Sequence, residues 1–205
     1  MTSTSKLLAA IFLFATAPVS VMAQKAEMPE PKDFMAGDTW EWRRMDNRTN
    51  VEEGRFSRSV VNQRGILEFQ SERGTFYQFS NAFLGNPRQK KPWRTWPLEI
   101  GKEWEYEEDW IDGNRSGNTV QDAKVVAYEE VSVPAGKFMA FKIEYKGYYR
   151  NSQGGSGRQA DTYWYAPDVK ADVKSVRDDG YNNWRRELVV YKRAPQPGSP
   201  PDAAR

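Results

Sequence analysis

The stretch "GKEWEYEEDW" (residues 101–110) interleaves aromatic rings with carboxylates. A period of two marks a strand with one face buried and the other in water. It puts Lys102, Trp104, Tyr106, Glu108 and Trp110 on one face and Glu103, Glu105, Glu107 and Asp109 on the other. The acids repel one another, so neighbouring strands are expected to set bases opposite them. Lys142 and Lys146, or Arg185 and Arg193, are plausible donors. A calcium site or a glycosidase pair is the chemical alternative. Side chains two apart on a flat strand point out in parallel rather than converge, and no DxDxDG loop stands nearby. A solvated, charge-paired face is the stronger reading.

The same rhythm extends in both directions. Trp40 and Trp42 alternate with Glu41 and Arg43, and "DNRTN" (46–50) turns toward a strand holding Phe56, Val60 and Val61. "NQRG" (62–65) and "SERG" (71–74) read as tight turns around a strand at 66–70, with another at 75–80 and a loop over 81–97. Beyond residue 110, "DGNRSGN" (112–118), "VPAG" (133–136), "SQGGSG" (152–157) and "RDDGYNN" (177–183) punctuate strands at 120–128, 137–150, 159–165, 169–176 and 184–192. No long stretch repeats apolar residues at helical spacing. The fold class is therefore all-β, an antiparallel meander of about ten strands. It can hide its apolar face as a sandwich, or by curling into a curved sheet, an open half-barrel or a barrel. Curling fits neighbour-to-neighbour hairpins better, because a Greek-key sandwich needs long crossings.

The first 23 residues read as a signal peptide: Lys6, an apolar run over 7–17, Pro18, and small residues at Val21-Met22-Ala23. A retained anchor is the alternative, but the run falls short of the ~20 residues that span a bilayer. No cysteine is present to carry a lipid, so a periplasmic or secreted product, soluble once the leader is removed, is expected. Residues 24–33 read as a linker, 34–193 as one domain, and the proline-rich "APQPGSPPDAAR" (194–205) as a disordered tail. Without disulfides the fold must hold by burial, and aromatics at 14% of the chain supply it. Thirty basic against 28 acidic side chains leave a net +2, too balanced to draw nucleic acid.

A second constellation is "NPRQKKPWRTWPL" (86–98), where Arg88, Lys90, Lys91 and Arg94 surround Trp93 and Trp96. Bases among rings can hold anionic headgroups, acidic glycans or single-stranded nucleic acid, and export argues against the last. The plainer reading is a flap whose tryptophans close one end of the sheet while its bases sit in water. The chain has neither histidine nor cysteine, which removes histidine triads, thiolate nucleophiles and the usual zinc sites. No phosphate loop or dinucleotide fingerprint occurs, so no catalytic residue, cofactor or metal is expected.

Three blocks, "WPLEIGKEW" (96–104), "VSVPAGKFMAFKIE" (131–144) and "DTYWYAPDVKADVKS" (161–175), resemble a group of uncharacterised exported bacterial proteins that includes TapB-like domains. The resemblance implies an all-β curved sheet akin to periplasmic lipoprotein carriers, and brings no catalytic residues. The residues then point to a non-enzymatic binding or carrier domain. Its concavity, lined by Trp40, Trp42, Trp104, Tyr106 and Trp110 with Trp93 and Trp96 at the mouth, would take an apolar or amphiphilic ligand, a lipid or a glycan. A cell-envelope module that binds another protein, and a carboxylate-dependent glycan hydrolase, are the alternatives.

Overall fold

The computed structural model describes residues 24–86 and 89–195. In chain order the strands are β1 (Lys25–Ala26), β2 (Thr39–Asp46), β3 (Glu52–Gln63), β4 (Ile66–Ser71), β5 (Phe76–Tyr77), β6 (Gln89–Lys91), β7 (Leu98–Glu99), β8 (Glu103–Asp112), β9 (Arg115–Val133), β10 (Gly136–Asn151), β11 (Ser156–Ala166), β12 (Ala171–Asp178) and β13 (Asn183–Lys192). A 3-10 turn at Pro31–Asp33 and one helix, α1 (Phe79–Phe83), complete the described elements. Eleven strands form one antiparallel sheet in the order β5-β4-β3-β2-β13-β12-β11-β10-β9-β8-β6, and β1 and β7 pair apart from it.

The expected meander is present as two runs of hairpins, β2 to β5 and β8 to β13, joined where β2 pairs with β13. The ends of the order, β5 and β6, have no second neighbour, so the sheet stays open and the barrel alternative does not hold. Bulges at Arg44/Met45, Lys142/Ile143, Trp164/Tyr165 and Leu188/Val190 insert extra residues into the ladders. Each bends its strand and raises the local twist, which lets a wide sheet curve over its contents.

The break between β5 and β6 has a local cause. The strand expected over 75–80 survives only at Phe76–Tyr77, because "FSNAF" coils into α1. Phe79 and Phe83 lie four residues apart and are both buried, the spacing at which one helical turn stacks two side chains on a face. They pack with Phe34, Trp40 and Phe69 in a ring cluster whose closest centroids, Phe69 to Phe79, are 4.4 Å apart.

Residues 24–33, expected as a linker, carry β1, whose Ala26 faces Leu98 across a two-residue ladder; both are buried. At the other end the Ala194 amide donates to Asp38 Oδ1 at 2.8 Å. The expected leader, and the tail beyond residue 195, lie outside the described residues.

The bases opposite the acids of β8 are not the expected ones. Neighbouring β6 and β9 supply them: Lys124 meets Glu103 at 2.7 Å, Lys91 bonds Glu105, and Lys90 reaches Glu107 and Asp109 at 3.3 and 2.9 Å. Lys142 and Lys146 instead hold Glu144, and Arg185 lies against Glu187. Arg193 is just past β13, strands away from β8. Periodicity gave the face of each residue correctly, but the order of strands in the sheet decides its partner.

Candidate functional site

The inner face of the sheet, beneath α1 and the 92–97 segment, carries alternate residues of every long strand. From β10, β11 and β8 come Tyr145, Tyr163, Tyr106 and Trp104, and Trp93 drops onto them from above. Trp93 stacks on Tyr145 at 6.2 Å and meets Tyr163 edge-on at 5.2 Å. Its carbonyl accepts from the Tyr145 hydroxyl at 2.6 Å and from Trp104 Nε1 at 3.1 Å. Trp96 donates to the Phe83 carbonyl at 3.0 Å and packs against Tyr165. The two tryptophans of the flap therefore act as clamps.

Arg94, expected in water, is 1% exposed. Its guanidinium lies over Trp93 at 4.2 Å and bonds Asp172 at 3.0 Å. Burial alone would lower this group, but Asp172 and the surrounding hydroxyls outweigh it and hold it above its usual value. Lys90 and Lys91 are spent on the acids of β8, and Arg88 lies outside the described residues. The flap is thus basic in sequence without presenting a free basic surface at Lys90, Lys91 or Arg94.

Of the expected lining, Trp40 is 1% exposed and embedded in the phenylalanine cluster, with Nε1 bonded to the Val169 carbonyl at 2.8 Å. It belongs to the packed core, not to an open surface. Trp42, Tyr106 and Trp110 do border open space. Trp42 Nε1 donates to the Asp172 carbonyl at 2.8 Å, and Trp110 Nε1 donates to Thr119 Oγ1 at 3.1 Å. Trp110 also lies across Gly117, where an added Cβ would fall 2.2 Å from the ring.

Two hollows open on this face. The larger is a cleft of about 620 Å³ walled by Trp93, Tyr106, Trp110, Tyr149 and Tyr163, with polar groups from β9, β11 and β12 at its floor. Asp161 anchors that floor: Gln121 Nε2 and Gln159 Nε2 donate to it at 3.0 and 2.7 Å, and Arg177 Nε at 2.6 Å. Burial would lower Arg177, but the Asp161 carboxylate more than compensates and raises it. Glu108 accepts from the Tyr106 hydroxyl and from Asn86 Nδ2. The inner-face acids Glu108, Asp161 and Asp172 are therefore all engaged. Burial pushes the phenols of Tyr106, Tyr145, Tyr163 and Tyr165 up, so these are neutral hydroxyls at neutral pH. The arrangement offers fixed donors, acceptors and ring faces. Among the described residues no group of three or more acids could hold a metal ion.

The smaller hollow, about 270 Å³, lies toward β3 and β13 and shares Tyr163 with the cleft. Arg58 and Arg186 line it. Arg58 sits over Phe69, Trp40 and Trp42 at 4.2, 4.8 and 5.3 Å, and Arg186 over Phe56 and Trp184 at 4.7 and 5.5 Å. Sequence reasoning passed over these residues, although the pattern holds a signal for them. Arg58 stands two residues from Phe56 and from Val60, and Arg186 two from Trp184 and from Leu188. An arginine at an inward position of an otherwise apolar period is the mark to look for.

No protein-family model matches the chain, and no curated protein matches it. Three solved structures do. A lipoprotein candidate from Parabacteroides distasonis aligns with a TM-score of 0.52 at 16% identity, over 82% of this chain and 100% of that one. A candidate exported protein with a YmcC-like fold from Bacteroides fragilis gives 0.44 at 10% identity, covering 78% and 97%. The hypothetical lipoprotein YmcC from Escherichia coli gives 0.42 at 12%, covering 79% and 87%. Among the described residues no helix is long and apolar enough to cross a membrane. The expected kinship with uncharacterised exported β-sheet proteins is thus met at the level of fold, in the Parabacteroides lipoprotein candidate.

Proposed function

We propose that the protein is an exported binding or carrier domain of the cell envelope that holds an amphiphilic ligand in the cleft on its inner face. The observation that carries this reading is the cleft itself: about 620 Å³, within the ~300–1,000 Å³ usual for ligand sites, walled by rings and floored by the fixed Asp161–Gln121–Gln159–Arg177 network. Rings take apolar or sugar-ring faces, and the network sets orientation. Residues 1–23 act as the export signal in this reading, and the fold-level likeness to a lipoprotein candidate agrees with that placement.

The interaction-module alternative finds less support. The sheet edges, β5 and β6, are two and three residues long, and Lys90 and Lys91 fill the latter, features that discourage strand addition. The hydrolase alternative also finds less support: Glu108, Asp161 and Asp172 are each tied to neighbouring side chains, and the cleft's other acids, Asp112 and Asp179, to Arg115 and Asn182.

Native mass spectrometry of the freshly purified chain, followed by panels of lipids, neutral detergents and oligosaccharides, tests the proposal. The expected result is a bound mass or a saturable ligand, weakened about tenfold by Trp110→Ala with the fold intact. Bare polypeptide throughout, with no member of the panels bound, overturns it.

A further inference from the structure

The inner face handles its arginines in two ways. Arg44, Arg94 and Arg177 each have a carboxylate, Glu53 at 2.7 Å, Asp172 at 3.0 Å and Asp161 at 2.6 Å. Arg58 and Arg186 have none among the described residues. Arg58 Nε, Arg58 Nη2 and Arg186 Nε are buried with no hydrogen-bond partner; Arg94 Nε is buried without one too, so the missing carboxylate is what sets Arg58 and Arg186 apart. A buried donor left unmade is costly, and a buried unpaired charge more so. Burial accordingly lowers both guanidiniums below their usual values, and for Arg186 the nearby charges of Arg44 and Arg177 add to it.

Ring stacking offsets part of that cost, but only at the faces of the guanidinium plane. The N–H groups point out along its edges, where a planar or tetrahedral oxyanion is the matching shape. Both arginines border the hollow of about 270 Å³, together with Ser175, Tyr77 and Tyr163. The hollow has two acids of its own. Asp172 is taken by Arg94, and Glu72 accepts from the Ser57 amide at 3.4 Å and lies 3.8 Å from Arg73. Tyr163 also walls the larger cleft, so the two hollows adjoin at its ring.

We propose that this hollow is an anion subsite: Arg58 and Arg186 take the phosphate, sulfate or carboxylate head of an amphiphile whose body lies in the adjoining cleft. The inference rests on the binding reading above and adds the charge of the ligand to it. Ser175 and Tyr77 border the same space and supply hydroxyls for the remaining oxygens.

The test compares dodecyl phosphate with dodecyl maltoside, both below their micelle concentrations, and adds inorganic phosphate as a third probe. Binding is read by tryptophan fluorescence, because Trp42 lines the hollow. The wild-type chain is expected to bind dodecyl phosphate at least about tenfold more tightly than the maltoside. Arg186→Gln removes that preference, with an unfolding midpoint no lower than the wild type's, and Arg186→Lys restores part of it. Arg58→Gln gives the same loss; if it fails to fold, the Arg186 pair carries the test alone. Equal affinity for the two amphiphiles, or a preference that survives Arg186→Gln, overturns the anion subsite and leaves the amphiphile cleft standing. Inorganic phosphate bound in an Arg186-dependent way, with neither amphiphile bound, upholds the two-arginine anion site and sinks the cleft reading together with the amphiphile half of this proposal.

Discussion

Two sets of bases sit on opposite faces of this sheet and are treated differently. Lys90, Lys91 and Lys124 lie on the outer face, half exposed, each against an acid of β8. Arg58 and Arg186 lie on the inner face, stacked on rings and without an acid. The outer pairs are screened by water and add little to stability. They neutralise the row of acids on β8 once the strand order has brought them together. The inner arginines carry a desolvation cost that ring contacts offset only in part, so their presence calls for a reason other than stability.

The comparison can be broken at several places. The largest effect is expected where no charge is involved: Phe69→Ala empties the middle of a cluster that touches Phe34, Trp40, Phe79 and Phe83, and should cost about 4 kcal/mol in urea unfolding. Next comes Asp172→Ala, which strands the buried Arg94 and should cost about 3 kcal/mol. Arg58→Met keeps volume against the rings and removes the unpaired charge. Its unfolding free energy should stay within about 1 kcal/mol of wild type, or rise, while the preference for anionic heads is lost. A loss as large as that of Asp172→Ala would make Arg58 a structural residue. Lys91→Ala should leave the urea-unfolding midpoint almost unchanged, and added salt should erase what difference there is.

The smallest effect is on pH. Lys90, with help from Asn118, holds the Asp109 carboxyl below its usual range. A carboxyl lowered by folding contributes stability above its unfolded pKa and loses it as pH falls through the folded value. Carboxyl chemical shifts followed by NMR into acid should therefore place Asp109 below an unfolded reference. A shift to higher pKa would contradict the Lys90 pairing.

Much of the architecture was legible from alternation alone. Trp104, Tyr106 and Trp110 face inward as the period of two requires, and Trp164 faces away from Tyr163 and Tyr165, bonding Glu129 on the outer side. What alternation cannot supply is the order of strands. It named Lys142 as a partner for β8 because nothing local says that β6 lies on one side of that strand and β9 on the other. The turn at 71–74 implies a strand over 75–80, and the Phe79–Phe83 spacing that coils the chain instead is a single helical turn, too short to stand out as a period. At the site, Trp42, Tyr106, Trp110 and Trp93 border open space, whereas Trp40 is walled in by rings from distant parts of the chain. The arginines were missed for a simpler reason. A charged residue is taken as a surface residue by default, and only its phase within the strand says otherwise.

The ladder between β2 and β13 is the seam of the molecule. Its strands come from nearly opposite ends of the described chain, so the first wing of the sheet, β2 to β5, must wait for the last strand before the second wing can zip onto it. Closing so long a loop makes assembly slow and leaves an apolar wing uncovered in the meantime. Completion of the sheet is therefore tied to delivery of the chain through β13, and a cut before Asn183 would remove the strand whose ladders join the two wings into one sheet.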